Sequence, residues 1–139
     1  MLRSKLTVLI RFVAVLGFIS LAGCGSVPLN NDASLIGVWE LTSQNGQPTP
    51  EGIFVRWVFT ATTVRVTSDL DCEEVFTYSS ADGTLTGLSV IRREGSQCGD
   101  DDSVMELGPY SVDSNTLTVT TTDPELEPPT IVSVFTRVP

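Results

Sequence analysis

The sequence predicts an all-β protein, a single small antiparallel up-and-down β-barrel of about eight strands. From residue 35 to residue 139, apolar and polar residues alternate in short runs rich in valine, threonine and aromatic residues. This alternation is typical of half-buried strands, and turn-forming sequences separate the runs at intervals of roughly 8–15 residues. No stretch of this region has the periodicity of a helix. A barrel is favoured over a sandwich because closure leaves no strand edge unpaired.

The first half of this region contains four predicted strands. The first, 35–42, directs Leu35, Gly37, Trp39 and Leu41 to one face before asparagine, glycine and proline end the run. The strands that follow are predicted at 53–60, 63–67 and 74–79.

The second half begins at Asp82-Gly83, a sequence typical of a hairpin turn. Gly87 interrupts the next run and indicates a β-bulge. The remaining strands are predicted at 84–92, 104–112, around Leu117 and Val119, and at 130–138.

The residues before this region resemble a bacterial lipoprotein signal. Arg3, Lys5 and Arg11 accompany an apolar run of 11 residues at 12–22, shorter than the roughly 20 that span a bilayer. The run ends in Leu21-Ala22-Gly23-Cys24, which is similar to the lipobox. The resemblance implies cleavage before Cys24 and acylation of its sulfur; the alternative is a free cysteine after a signal peptide.

This interpretation divides the chain into three parts. Residues 1–23 are the signal peptide, 24–34 a flexible tether from lipidated Cys24, and 35–139 the barrel. We therefore expect an extracytoplasmic protein of the bacterial cell envelope, held to a membrane by lipid in the periplasm or at the cell surface.

Charge and composition narrow the function. Without residues 1–23 the chain has five arginines, no lysine, no histidine and all 17 acidic residues, a formal charge of −12. Such a surface disfavours nucleic acid as a partner and favours cations, basic proteins or simple solubility. The lack of histidine and lysine removes the usual neutral-pH bases and Schiff-base chemistry, so we expect a binding protein and not an enzyme.

Two cysteines remain once Cys24 is lipidated. Cys72 and Cys98 are expected to form a disulfide, because an even pair in an oxidising compartment is usually bonded. Two buried thiols are the alternative.

Several short motifs resemble lipocalin-like domains, which open with Gly-x-Trp. Gly37 and Trp39 match this opening. Further similar pieces are Phe59-Thr60, Tyr110-Ser111-Val112, the sequence 115–119 and Phe135-Thr136-Arg137. The resemblance implies that Trp39 packs at the closed end of the barrel beneath Arg137, in a structural cation–π contact.

Acidic residues cluster around both cysteines, so the disulfide would bring them together. Calcium accepts six to eight oxygen ligands, and the alternative is a pair of solvated loops. The candidate ligands are Asp69, Asp71, Glu73, Asp100, Asp101 and Asp102, with Glu74 beside them.

Aromatic residues on the predicted inner face have two readings. They either line a pocket for a small apolar ligand or fill the barrel interior. These residues are Trp57, Phe59, Phe76 and Tyr78. The sequence therefore predicts a non-catalytic binding module for a small apolar molecule; the alternatives are an acidic module that binds or inhibits a basic protein, and a structural envelope lipoprotein.

Overall fold

The computed structural model describes residues 31–99, 104 and 107–139. Within these ranges the protein is all-β, with no α-helix and two short 3-10 turns at Ala33–Leu35 and Ala81–Gly83. The predicted signal peptide, Cys24 and the acidic residues Asp100, Asp101 and Asp102 lie outside the described residues. The strands are β1 (Gly37–Gln44), β2 (Gln47–Pro48), β3 (Val55–Phe59), β4 (Thr63–Ser68), β5 (Glu73–Ser79), β6 (Thr86–Glu94), β7 (Tyr110–Asp113), β8 (Thr116–Thr122) and β9 (Thr130–Val138).

The strands form one antiparallel sheet that curls into a half-barrel. Its order is β6-β5-β4-β3-β1-β9-β8-β7, with β2 attached to β1. The first and last strands are paired, and the open seam between β6 and β7 leaves the sheet a half-barrel where we predicted a closed barrel. One bridge, Thr84 to Pro109, joins the two sides of the seam within the described residues.

Two strand boundaries differ from the predictions for identifiable reasons. Of the predicted strand 104–112, the described residues form only the short β7, because Pro109 has no N–H to offer a ladder and precedes its start. The sequence Asn45-Gly46, read as a break, instead joins β1 to β2 in a tight hairpin. Both of its residues have positive φ, 49° and 77°, which asparagine and glycine tolerate best.

The predicted bulge near Gly87 is present. The β5–β6 register shifts between Thr77 and Tyr78, so that Leu88 has no partner opposite it. A second shift lies between Val75 and Phe76. Such irregularities bend a strand and increase its twist, which helps this side of the sheet to curl.

The inner face of the sheet holds the hydrophobic core. The predicted alternation is confirmed on β1, where Trp39 and Leu41 are buried. Burying one large side chain contributes about 1.5–3 kcal/mol, so this layer is the main source of stability. Its members are Leu35, Trp39, Leu41, Trp57, Phe59, Val64, Val66, Phe76, Tyr78, Leu85, Leu117, Val119 and Phe135.

Residues 31–36, here called the N-terminal strap, cover one end of the half-barrel. We predicted 31–34 as part of the tether, but they bind the sheet. The Asn31 amide donates to the carbonyls of Ala61 and Tyr78, at 3.0 and 3.1 Å, and accepts from the Ser80 N–H. Leu35, which belongs to the strap, is fully buried. The strap therefore defines a closed end, and the opposite end of the sheet is the open end.

Asp32 makes the strap sensitive to acid. Its carboxylate accepts from the Ser34 N–H at 2.9 Å and from the Tyr110 hydroxyl at 3.0 Å. Hydrogen bonds from Ser34, through its hydroxyl and its backbone, and then from Tyr110 hold the pKa of Asp32 below its ordinary value of 3.8. A carboxyl with a lowered folded-state pKa stabilises the fold above its unfolded pKa, and this contribution is lost as pH falls through the folded value.

We therefore expect Asp32→Asn to be less stable than the native chain near neutral pH and to lose this difference in acid. Urea unfolding midpoints at about pH 6 and about pH 3 measure it. Asp82→Asn, in an exposed turn, serves as the matched control. A difference for Asp32→Asn that stays constant or grows in acid would contradict the role given to this carboxylate.

Candidate functional site

A pocket of about 230 Å³ opens inside the half-barrel, toward the open end. Strands β1, β3, β8 and β9 supply its walls because their inward side chains alternate with outward ones. The lining residues are Leu41, Gln44, Val55, Trp57, Leu107, Val119, Thr121, Ile131, Ser133 and Phe135.

The deep part of the pocket is aromatic and aliphatic. The Trp57 and Phe135 rings pack with centroids 4.4 Å apart at 36°. Leu41 is the register partner of Phe135 on the neighbouring strand, so both share this layer. An apolar ligand reaching this layer would gain about 25 cal/mol per Å² of apolar surface removed from water.

Polar groups gather nearer the open end. The Gln44 side-chain amide donates to the Ser133 hydroxyl at 3.2 Å, and Ser133 is buried, with 8% exposed. Thr121 follows one layer further toward the opening, opposite Ile131 in the ladder. The pocket thus has an apolar bottom and an uncharged rim, in which these polar groups lie beside Val119 and Ile131.

Of the four aromatic residues predicted to contact a ligand, Trp57 lines the pocket. Phe59, Phe76 and Tyr78 instead lie in the core nearer the closed end, each with at most 2% of its surface exposed. Phe59 packs edge-on against Tyr78, with centroids 5.1 Å apart. Filling of the interior, one of the two readings of the sequence, therefore describes these three residues.

Tyr78 shows why the core nearer the closed end has a structural role. Its hydroxyl donates to the Thr60 carbonyl at 2.9 Å. Burial, with smaller contributions from Tyr110 and Asp32, raises the pKa of Tyr78 to about 12, so the phenol stays neutral at physiological pH.

The sequence reasoning missed most of the pocket. Leu41 lies on a face that the alternation places inward, and Val119 and Phe135 belong to strands that we predicted. Pairing of the first strand with the last, as in β1 and β9, would have pointed to these residues, because it puts the two ends of the predicted barrel region beside each other. The aromatic residues instead led us to predict a ligand site on β3 and β5.

Trp57 also carries the one buried side-chain donor that lacks a hydrogen-bond partner among the described residues, its indole Nε1. Such groups cost free energy when left unsatisfied, and they are rare in native structures. The atom lies in the wall shared by the pocket and the core, beside Phe59 and Phe135.

The contact predicted between Trp39 and Arg137 is present near the closed end. The guanidinium carbon lies 4.2 Å from the Trp39 ring centroid, and the two residues are register partners. Arg137 also donates to the carbonyls of Ile36 and Ser34, at 2.8 and 2.7 Å. Trp39 donates its own indole N–H to the Leu35 carbonyl at 2.7 Å, so both residues secure the strap.

Gly37 explains part of the Gly-x-Trp sequence in physical terms. Its φ is +141°, which side chains rarely allow, and an added Cβ would lie 2.6 Å from the Arg137 guanidinium. A glycine is therefore needed two residues before Trp39 for Arg137 to cross β1 and reach the strap.

The predicted disulfide joins Cys72 to Cys98, with Cα atoms 5.0 Å apart. Around it, Asp71 accepts from both the backbone N–H and the hydroxyl of Ser96, at 3.0 and 2.7 Å, and these bonds lower the pKa of Asp71. The two loops thus form one connected unit at the open end.

Most of the described acidic residues near the disulfide form ion pairs or hydrogen bonds. Glu73 forms an ion pair with Arg92, and Glu74 pairs with Arg93 at 2.6 Å. The structure places Asp69 in the same loop as Asp71. Among the described residues, no three acidic or cysteine side chains converge in a way that could hold a metal ion, and Asp100 to Asp102 lie outside that set.

Large apolar side chains are exposed around the open end. Leu70 is 60% exposed and Ile53 46% exposed, and the backbone hydrogen bond from Asp69 to Phe54 holds their loops together. Leu126 is exposed in the loop between β8 and β9. The loops 49–54, 69–72, 95–99 and 123–129 carry six carboxylates and no lysine or arginine.

Comparisons with known proteins do not assign the chain to a family. No family model matches the chain, and no curated protein and no solved structure is significantly similar to it. Within the part of the chain that the structure describes, none of the helices has the length and hydropathy to cross a membrane.

Proposed function

We propose that this chain is a bacterial lipoprotein whose lipocalin-like half-barrel binds a small apolar molecule without catalysing a reaction. The observation that carries the proposal is the 230 Å³ pocket, with an apolar bottom formed by Leu41, Trp57 and Phe135. Ligand sites in proteins are typically concave and mainly apolar, with few polar groups that orient the ligand.

The surroundings of the pocket support entry of such a ligand. Ile53, which precedes the first paired residue of β3, and Leu70, which follows the last paired residue of β4, leave exposed apolar surface at the opening. Exposed large apolar groups commonly mark contact sites when they lie together. The closed end is occupied by the strap and the Trp39–Arg137 contact, so the open end is the route of access.

A fluorescent apolar probe tests the proposal directly. We expect N-phenyl-1-naphthylamine to bind the chain carrying Cys24→Ala, with enhanced emission. Thr121→Phe fills the rim of the pocket and should weaken this binding at least tenfold. Thr120→Phe, whose side chain points to the other face of β8, is the matched control and should leave the affinity unchanged. Equal binding by both variants would contradict a ligand site in the pocket.

The lipid anchor is supported by the sequence around Cys24, which ends an apolar run like a lipobox. Two or more acyl chains give stable membrane attachment, at about 0.8 kcal/mol for each buried methylene. We expect mass spectrometry of the protein from a bacterial host to find an acylated Cys24 at the N-terminus, and Cys24→Ala to leave the membrane fraction. A bare cysteine in the native chain would contradict acylation.

A second candidate function is docking of a basic protein at the open end. It is favoured by exposed Ile53, Phe54 and Leu70 within loops whose described charges are all negative. Immobilised cationic proteins should then retain the native chain at low salt, and the double variant Ile53→Ser/Leu70→Ser should elute earlier. Identical elution of the two chains would contradict an apolar contribution to docking.

A further inference from the structure

We infer that the ligand is an uncharged amphiphile that places a hydroxyl or carbonyl oxygen against Ser133 at the rim and its apolar body in the pocket. This inference rests on the proposed function and names its ligand class. It follows from the order of the layers along the pocket and from the charges that the pocket lacks.

The ladder register sets the order of these layers. Leu41 and Phe135 are partners in one layer, and across the β-bulge in β1 the next layer pairs Gln44 with Ser133. Val119 is the partner of Ser133 on the other side. A molecule entering from the open end therefore passes the polar pair before it reaches the aromatic bottom.

Ser133 has an unused hydrogen to donate. Its oxygen accepts from Gln44, but its own O–H meets no acceptor among the described residues, and the residue is buried. The Gln44 side-chain oxygen receives no hydrogen bond within that part of the chain either, but Gln44 is exposed and this oxygen is open to solvent. A hydroxyl or carbonyl on the ligand would satisfy the serine donor, and a ligand hydroxyl would also satisfy the glutamine acceptor.

Charge decides between neutral and anionic amphiphiles. None of the ten lining residues is charged, so a carboxylate at the rim would have no cation to offset its desolvation. The described loops at the open end add six carboxylates and no basic residue, which repel an anion further. Arg93, whose side chain is 15% exposed, is already paired with Glu74.

Two probes with carbon chains of equal length but different head groups distinguish a neutral ligand from an anionic one. We propose competition against N-phenyl-1-naphthylamine by 1-nonanol and by nonanoate at about pH 8, where the acid is ionised. The full-length Cys24→Ala chain should bind 1-nonanol at least tenfold more tightly than nonanoate. Ser133→Ala should weaken 1-nonanol about fivefold, the value of one neutral hydrogen bond, without weakening nonanoate. Ser111→Ala, exposed on β7, should change neither affinity.

The outcomes distinguish this inference from the proposed function. If the fluorescent probe itself does not bind, the pocket is not a ligand site, and both the proposed function and this inference are wrong. If the probe binds but nonanoate competes as well as 1-nonanol, the neutral head group is wrong. If Ser133→Ala leaves the affinity for 1-nonanol unchanged while its melting curve remains that of the native chain, the contact with Ser133 is wrong.

Discussion

Replacing Trp39 with alanine is expected to lower the free energy of unfolding by about 3–5 kcal/mol, the usual cost of truncating a buried tryptophan. Trp39 is fully buried, carries the Arg137 guanidinium on its ring and donates to the Leu35 carbonyl. The substitution therefore opens a cavity and also leaves Arg137 and the strap without their shared support. Because small domains are stable by only about 5–15 kcal/mol, much of the fold's stability would be lost. Urea unfolding followed by circular dichroism measures the change.

The matched control for Trp39→Ala is Leu88→Ala. Leu88 lies in β6 with 46% of its surface exposed and should cost less than about 1 kcal/mol. Trp39→Phe retains an aromatic ring but loses the N–H donor, and we expect an intermediate loss. If Trp39→Ala were no more destabilising than Leu88→Ala, the contact between Trp39 and Arg137 would not organise the closed end.

The second large effect is expected from the disulfide. Cys72 and Cys98 are 26 residues apart, and closing a loop of that length stabilises the folded state by about 3.5 kcal/mol on the chain-entropy model. Cys72→Ala/Cys98→Ala should therefore unfold at a clearly lower urea concentration than the native chain. The loops also lose a constraint that holds Asp71 near Ser96.

Reduction provides the control for this pair of substitutions. Treating the native chain with a thiol reductant should lower its unfolding midpoint toward that of the double variant, and the same reductant should not affect the variant itself. Equal midpoints for the oxidised native chain and the double variant would contradict a stabilising bridge.

Much of the fold follows from local sequence patterns. Alternation on β1 places Trp39 and Leu41 inward because successive side chains in a strand point to opposite faces. The Asp82-Gly83 turn follows from two residues that tolerate positive φ. The irregularity beside Gly87 follows from a glycine that interrupts a strand, a common mark of a β-bulge. The contact of Arg137 with Trp39 could be anticipated only through the resemblance to lipocalin-like domains, since no local rule links the last strand to the first.

The pocket could not be located from the sequence because it depends on how far the sheet curls. Trp57 and Phe59 have the same inward pattern, yet one lines the pocket and the other is enclosed in the core. Their depth is set by the register between β1 and β3 and by the strap over the closed end. Side-chain alternation determines the face of a residue but not its height along the barrel axis.

The strap could not be foreseen for a related reason. Asn31 and Asp32 look like linker residues in sequence, since short polar side chains are common in flexible segments. Their hydrogen-bond partners, Tyr78, Ser80 and Tyr110, are distant in the chain and are brought together only by the curl of the sheet. Long-range partners of this kind leave no local signal.

The occupied pocket is most directly tested by a ¹H–¹⁵N NMR titration of the Cys24→Ala chain with 1-nonanol. We expect the Trp57 indole signal and the backbone amides of Leu41 and Ser133 to shift together and to saturate, while Thr77 and Ser89 on the outer face stay in place. Saturable shifts confined to Thr77, Ser89 and their neighbours, with an unchanged Trp57 indole, would contradict binding inside the half-barrel.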